Sequence, residues 1–157
     1  MNLPTRYKAA CFYGARNIRI EHLPIPTLGP NDVLIKVKAA NVCQTDVRKY
    51  LGLDTSFASL RECIVLGHEG AGVVDAVGEN VKSVEAEDRV VPIPGKWCGK
   101  CKFCISGRPE LCSDRVGIGA GVGSLERCLK LLKEEGIGGT FAEYLKIPES
   151  QVVKVPP

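Results

Sequence analysis

The stretch GHEGAGVVDAVGENV, residues 67–81, carries the reading of the fold. From Gly72 to Val77 it is a short β-branched run that reads as a strand, and His68 and Glu69 precede it between Gly67 and Gly70. Successive residues of a regular strand face opposite ways, so His68 and Glu69 can approach one point only if the backbone is irregular there. The two glycines allow that irregularity. Outward from this stretch the same pattern recurs: residues 7–13, 17–23, 33–37, 62–66, 89–93, 141–147 and 152–155 are short strand candidates, separated by turns such as LPIPTLGPND at 23–32. Many short strands joined by turns predict a mainly β chain, a sandwich or partly closed barrel, with a few short helices. One helix is expected at 45–51, with Thr45 as its N-cap and Gly52 beyond its end. The other is expected at 124–135, where Leu125, Cys128, Leu129 and Leu132 share a face between Ser124 and Gly136.

With 157 residues, 45% hydrophobic and 25% charged, and with no repeat, low-complexity tract or internal linker, the chain reads as one globular domain over 1–157. Its net charge of +3 is too small and too scattered to argue for nucleic acid or an anionic membrane. No apolar run approaches the roughly 18 residues of a spanning helix, and the start MNLPTRYKAA lacks the apolar stretch of a signal peptide. A cytoplasmic location is the expectation.

Eight cysteines stand out. Disulfide frameworks belong to small exported chains, so bridging is the lesser reading. Cys98, Cys101, Cys104 and Cys112 are spaced by three, three and eight residues, too close for pairwise bridges to gain much loop-closure entropy. Four thiolates around one Zn²⁺ make a closed tetrahedral site, structural because no position remains for a substrate. The expectation is a structural zinc lobe at about 95–115, in which Gly99 and Gly107 ease tight turns and Lys96, Lys100, Lys102 and Arg108 offset the surplus negative charge. An iron–sulfur cluster shares the cysteine count. Free thiols fit poorly, since the segment has little apolar content to hold it folded. A zinc-ribbon-like nucleic-acid binder would rest only on those lysines and lacks an aromatic stacking platform. Cys43, His68 and Glu69 are the ligand types of a catalytic zinc, which takes three protein ligands and leaves the fourth place open. By themselves they read more readily as a buried cysteine and a satisfied histidine. Cys11, Cys63 and Cys128 read as small buried hydrophobes, and His22 as a surface residue.

With GHEGAGVVDAVGENV at 67–81, CQTD at 43–46, EDRV at 87–90, the cysteine loop at 98–112 and GGTFAEYLKIP at 138–148, the chain resembles the zinc-containing medium-chain alcohol dehydrogenases, including polyol, sorbitol and threonine dehydrogenase-like members. The glycines Gly67, Gly72 and Gly78 fall where that family's zinc signature has them. The resemblance implies a GroES-like catalytic domain, a partly closed barrel normally joined to a Rossmann domain that holds NAD or NADP. By position, Cys43 and His68 match ligands of the catalytic zinc, and Glu69 matches a carboxylate that ligates it or lies beside it. Thr45 matches the hydroxyl that passes the substrate proton outward while zinc stabilises the developing alkoxide. Asp46 reads equally as a partner of these ligands or as the start of the helix.

Arg48 stands where many members have a histidine that completes the proton path. A guanidinium does not deprotonate in proteins, so a contact with a cofactor phosphate or with solvent is expected instead. GIGAGVG at 117–123 gives no GxGxxG register and reads as a loop, so the nucleotide-binding domain is expected to be absent from the chain. The isolated chain is then expected to be an incomplete enzyme, without appreciable turnover and with its catalytic zinc held less tightly than the structural one. The function expected is the catalytic half of a zinc-dependent NAD(P) dehydrogenase acting on a small alcohol, polyol or sugar, a homo-oligomer as the full-length protein. The alternative is a non-catalytic, zinc-stabilised GroES-like binding or assembly module.

Overall fold

The computed structural model describes residues 3–57, 62–120 and 138–156. In chain order its strands are β1 (Arg6–Phe12), β2 (Ile18–Pro24), β3 (Asp32–Asn41), β4 (Ile64–Val65), β5 (Glu69–Val77), β6 (Arg89–Pro92), β7 (Gly95–Lys96), β8 (Val116–Gly117), β9 (Tyr144–Pro148) and β10 (Val152–Lys154). Helix α1 (Gln44–Tyr50) follows β3, and α2 (Lys102–Ile105) lies between β7 and β8. The main sheet has the order β10-β6-β5-β3-β9, a second has β2-β1-β4, and β7 pairs with β8, all antiparallel. A bridge between Ala9 and Ala142, with hydrogen bonds from Ala10 N to Phe141 O and from Glu143 N to Lys8 O, ties β1 to the chain entering β9. The two sheets thereby curl into the mainly β, partly closed barrel expected of the sequence. No helix among the described residues is long and apolar enough to cross a membrane.

The core follows from strand alternation in β3. Val33 and Ile35 enter one cluster with Val74, Val90, Leu145 and Ile147, while Leu34 faces the other side with Tyr7, Val65 and Tyr144. A third cluster, Phe12, Phe57, Ile64 and Leu66, underlies the segment that leads to His68.

Several expectations change. The strand expected at 33–37 continues to Asn41, because the register against β5 shifts between Val37 and Ala39 and Lys38 forms a bulge. Beyond the bulge the apolar alternation is lost, yet pairing resumes and sets Asn41 opposite Glu69. The paired two-residue strands β7 and β8 are too short to show any period. Of the loop expected at 117–123, Gly117 ends β8 and Ile118–Ala120 forms a 3-10 turn whose Ile118 is buried in the main core. The rest of that stretch, and the helix expected at 124–135 with Cys128, lie outside the described residues. Helix α1 begins at Gln44 with Cys43 as its N-cap, so Thr45 is not the cap. The Cys43 backbone N–H donates instead to Asp46 Oδ2 at 3.0 Å.

Cys11 and Cys63, expected as separate thiols, are joined in a disulfide. Antiparallel pairing of β1 with β4 brings their Cα atoms to 5.2 Å, inside the usual range for a bridge. The partners lie 52 residues apart, and cysteine spacing alone does not disclose such a pairing.

Candidate metal centres

The first centre is the lobe between β7 and β8. Cys98 follows the β7 strand, Cys101 is the N-cap of α2, Cys104 lies within α2, and Cys112 closes the 3-10 turn Pro109–Leu111. Gly99 at φ +73° and Gly107 at φ +74° make the reversals a side chain would resist. The four sulfurs lie within 4.8 Å of one another. Cys98 Sγ to Cys104 Sγ is 3.9 Å and Cys101 Sγ to Cys104 Sγ is 3.5 Å. A tetrahedral zinc with Zn–S bonds near 2.3 Å requires sulfur separations of roughly 3.8 Å, so the set fits that ion. Backbone N–H groups of Lys100 and Cys101 lower the Cys98 thiol to about 6. Desolvation, and then the Cys101 thiol, push Cys104 up to about 12. Thiols this crowded ionise together only when a cation shares their charge.

The second centre joins the start of α1 to the start of β5. Gly67 is at φ +89°, and a Cβ there would approach Thr140 Oγ1 to 2.5 Å and the Phe141 ring to 2.6 Å. This left-handed residue supplies the irregular backbone that lets His68 and Glu69 converge with Cys43, their ligand atoms all within 4.8 Å. Thr140 clamps the turn from both sides: its N–H donates to Gly67 O at 2.9 Å and its hydroxyl to Glu69 O at 3.1 Å. Asp46, 3% exposed, accepts from Cys43 N and, at 3.3 Å, from Gly67 N. Its Oδ1 stands 3.8 Å from His68 Nδ1, an atom that is buried without a hydrogen-bond partner. Thr45 Oγ1 lies 3.4 Å from the other ring nitrogen, Nε2. Glu69 Oε2 accepts from Asn41 Nδ2 at 2.7 Å. That bond, followed by one from the Cys43 thiol, holds the Glu69 carboxyl below the usual carboxylate range.

The geometry thus brings Cys43, Thr45, His68 and Glu69 together and keeps Cys98, Cys101, Cys104 and Cys112 as a separate group. Arg48 is exposed on the outer face of α1, turned away from the buried Asp46. Asn41 and Thr140 escaped sequence reasoning. Asn41 could have been found only from the register across the bulge, and Thr140 only from its contacts, although its GGTFAEY segment was conspicuous. For Asp46 both sequence readings hold, since it bonds the helix start and faces His68.

Fold and side chains together define a GroES-like β domain that carries one closed all-sulfur donor set and one mixed, open set. The family described as alcohol dehydrogenase GroES-like domain matches residues 29–157, and the chain belongs to it. A sorbitol dehydrogenase of Bacillus subtilis (strain 168) is 33% identical over 154 residues, covering 98% of this chain and 40% of the relative. An L-threonine 3-dehydrogenase of Stenotrophomonas maltophilia (strain K279a) is 37% identical over 142 residues, 90% of this chain and 37% of the relative. Among solved structures, a short chain alcohol dehydrogenase from E. coli CFT073 complexed with NADH superposes with a TM-score of 0.78 at 29% identity, over 98% of this chain and 39% of that one. The chain therefore spans 37 to 40% of the length of these curated relatives.

Proposed function

We propose that the chain is the zinc-binding catalytic domain, over 1–157, of an NAD(P)-linked dehydrogenase that oxidises the hydroxyl of a small alcohol, polyol or sugar. The observation that carries this reading is the meeting of Cys43, His68 and Glu69 beside the Thr45 hydroxyl, in a chain of this family. The donor set suits a catalytic zinc, and the ring of His68 is already oriented for one: Nδ1 faces the Asp46 carboxylate, leaving Nε2 toward the open side. Zinc bound there supplies Lewis-acid chemistry, lowering the pKa of a substrate hydroxyl.

The chain's own groups do the rest. Cys43 and His68 hold the ion; Glu69, kept ionised by Asn41, ligates it or balances its charge. Asp46 fixes the imidazole and both backbones that present the ligands. The Thr45 hydroxyl accepts the substrate's proton in a hydrogen bond and passes it outward, the direction in which Thr45 is exposed. Arg48, on the adjacent outer face, contacts a phosphate of NAD or NADP held by a nucleotide-binding domain, in the same or another chain. The four-thiol lobe holds a structural zinc.

Cobalt titration of the metal-free chain tests the two sites. Two equivalents are expected, one tight with thiolate charge-transfer bands and one weaker. His68→Ala should lose only the weaker. One equivalent in the native chain, or two in the variant, would overturn the reading. The activity itself is read with NAD and NADP, on protein containing the nucleotide-binding domain, against alcohols, polyols and aldoses. There Thr45→Val should lower kcat by about a hundredfold, the scale of one lost proton-transfer group.

A further inference from the structure

The cysteines among the described residues are in two chemical states. Cys43, Cys98, Cys101, Cys104 and Cys112 are free thiols, and every one belongs to a metal centre. Cys11 and Cys63 are bridged and belong to neither centre. In surroundings that keep metal-binding thiols reduced, a bridge is characteristically transient and redox-sensing.

The place of this bridge gives it leverage on the mixed metal centre. Strand β4 has two residues and pairs with β1 at Ile64–Phe12 and Val65–Cys11. Cys63 immediately precedes it, so the bridge is the covalent part of β4's hold on β1. From β4 the chain runs through Leu66 and Gly67 directly to His68. On that side Phe141 N–H donates to Leu66 O and Thr140 N–H to Gly67 O. The His68 turn is thus fastened at one end by residues 140–141 and at the other by β4. Once unbonded, the two sulfurs must separate to van der Waals contact. Cys11 is wholly buried with Tyr7, Ala9, Leu34 and Val65, whereas Cys63 packs half-buried at the edge of that cluster. The movement therefore falls on Cys63 and β4.

We propose that the Cys11–Cys63 pair is a reducible switch on the Cys43–His68–Glu69 centre. Bridged, it holds the His68 turn in its ligating arrangement; reduced, it releases β4 and weakens the centre's grip on an ion. The second half rests on the metal site proposed above. The reductant is a dithiol. Its thiolate attacks Cys63 Sγ, the S–S bond breaks, and Cys11 leaves as a thiolate that takes up a proton. The second thiol of the reductant then displaces Cys63 from the mixed disulfide. The pair gains two electrons and two protons, and the dithiol departs as its own disulfide. Such coupling is reciprocal. If opening the bridge weakens ion binding tenfold, the bound ion makes the bridge tenfold harder to reduce, a shift of about 30 mV for a two-electron couple.

The test begins with peptide mapping of the alkylated native chain, which should recover Cys11 joined to Cys63. Cobalt affinity is then measured by chelator competition, without oxygen, for the bridged chain, the reduced chain and the double variant Cys11→Ala with Cys63→Ala. The weaker cobalt site should lose about tenfold in both open forms, within the usual range of coupling between sites, and the four-thiol site should be unchanged. The potential of the bridge, set by a dithiol buffer, should fall by about 30 mV between one and two equivalents of cobalt. Hydrogen-exchange protection at residues 64–67 should drop on reduction while β3 and β9 keep theirs. Absence of the bridge, equal cobalt affinity in bridged and open forms, or an unmoved potential would each overturn the proposal. Should the double variant fail to fold, the reduced native chain still decides it. If neither form has a second cobalt site, the metal reading above falls, and exchange at 64–67 decides whether the bridge governs the turn. If the second site binds equally in both forms, the switch falls alone.

Discussion

Asp46 does at one position what the metal centre needs at three. It bonds the N–H groups of Cys43 and Gly67, and it supplies the negative charge that faces His68 Nδ1. Asp46→Asn preserves shape and removes that charge, so cobalt affinity at Cys43 and His68 should drop by about 10- to 100-fold, measured by chelator competition. The four-thiol site should be unchanged. Glu149 gives a second single-residue prediction. Its Oε1 accepts from Lys82 N at 2.7 Å and Ser83 N at 2.6 Å, and those bonds lower its pKa. A carboxyl lowered in the folded state adds stability above its unfolded pKa and loses it as pH falls through the folded one. Glu149→Gln should therefore melt lower than the native chain at neutral pH. The gap should begin to close below about pH 4.3 and vanish once the native carboxyl is protonated. At this scale the sequence discloses residues whose type suggests the chemistry, and the structure groups them: Cys43, His68 and Thr45 in one place and the four cysteines of residues 98–112 in another. Asn41 and Thr140 were hidden because their contacts come from a bulged register and a distant clamp.

The four-cysteine lobe buries too little to hold itself. Helix α2 has four residues and buries none of them, and Trp97, Ile105 and Leu111 are exposed. With so little apolar burial, its order is expected to depend on an ion bound by the four thiols proposed above to hold zinc. A strong chelator should abolish hydrogen-exchange protection across residues 98–112 and leave β3, β5 and β9 protected; protection that persists in the metal-free lobe would show that its turns suffice. The spacing of its cysteines was legible because metal ligation acts over a few residues. Its hairpin was not, since two-residue strands carry no periodicity. The same limit explains why β4 was expected at five residues and formed with two: its pairing is set by β1, far away in the chain.

Over the whole domain, β3 joins the two larger cores, with Leu34 on one side and Val33 and Ile35 on the other. The strands that pair with it, β5 and β9, bring in Val74, Leu145 and Ile147, so neither core can open without unpairing the other's strand. Alternating apolar residues made that architecture readable in advance, because period two needs only neighbouring positions. The consequence is one cooperative unit for the barrel. Leu34→Ala and Ile147→Ala, in different clusters, should each cost about 2–5 kcal/mol in urea unfolding, with the slope against denaturant unchanged. Val153→Ala, on the half-exposed edge strand β10, should stay within about 0.5 kcal/mol. Near-UV and far-UV transitions should coincide in every variant. Separate midpoints for the two core variants would mean that the two sheets unfold independently and that β3 does not couple them.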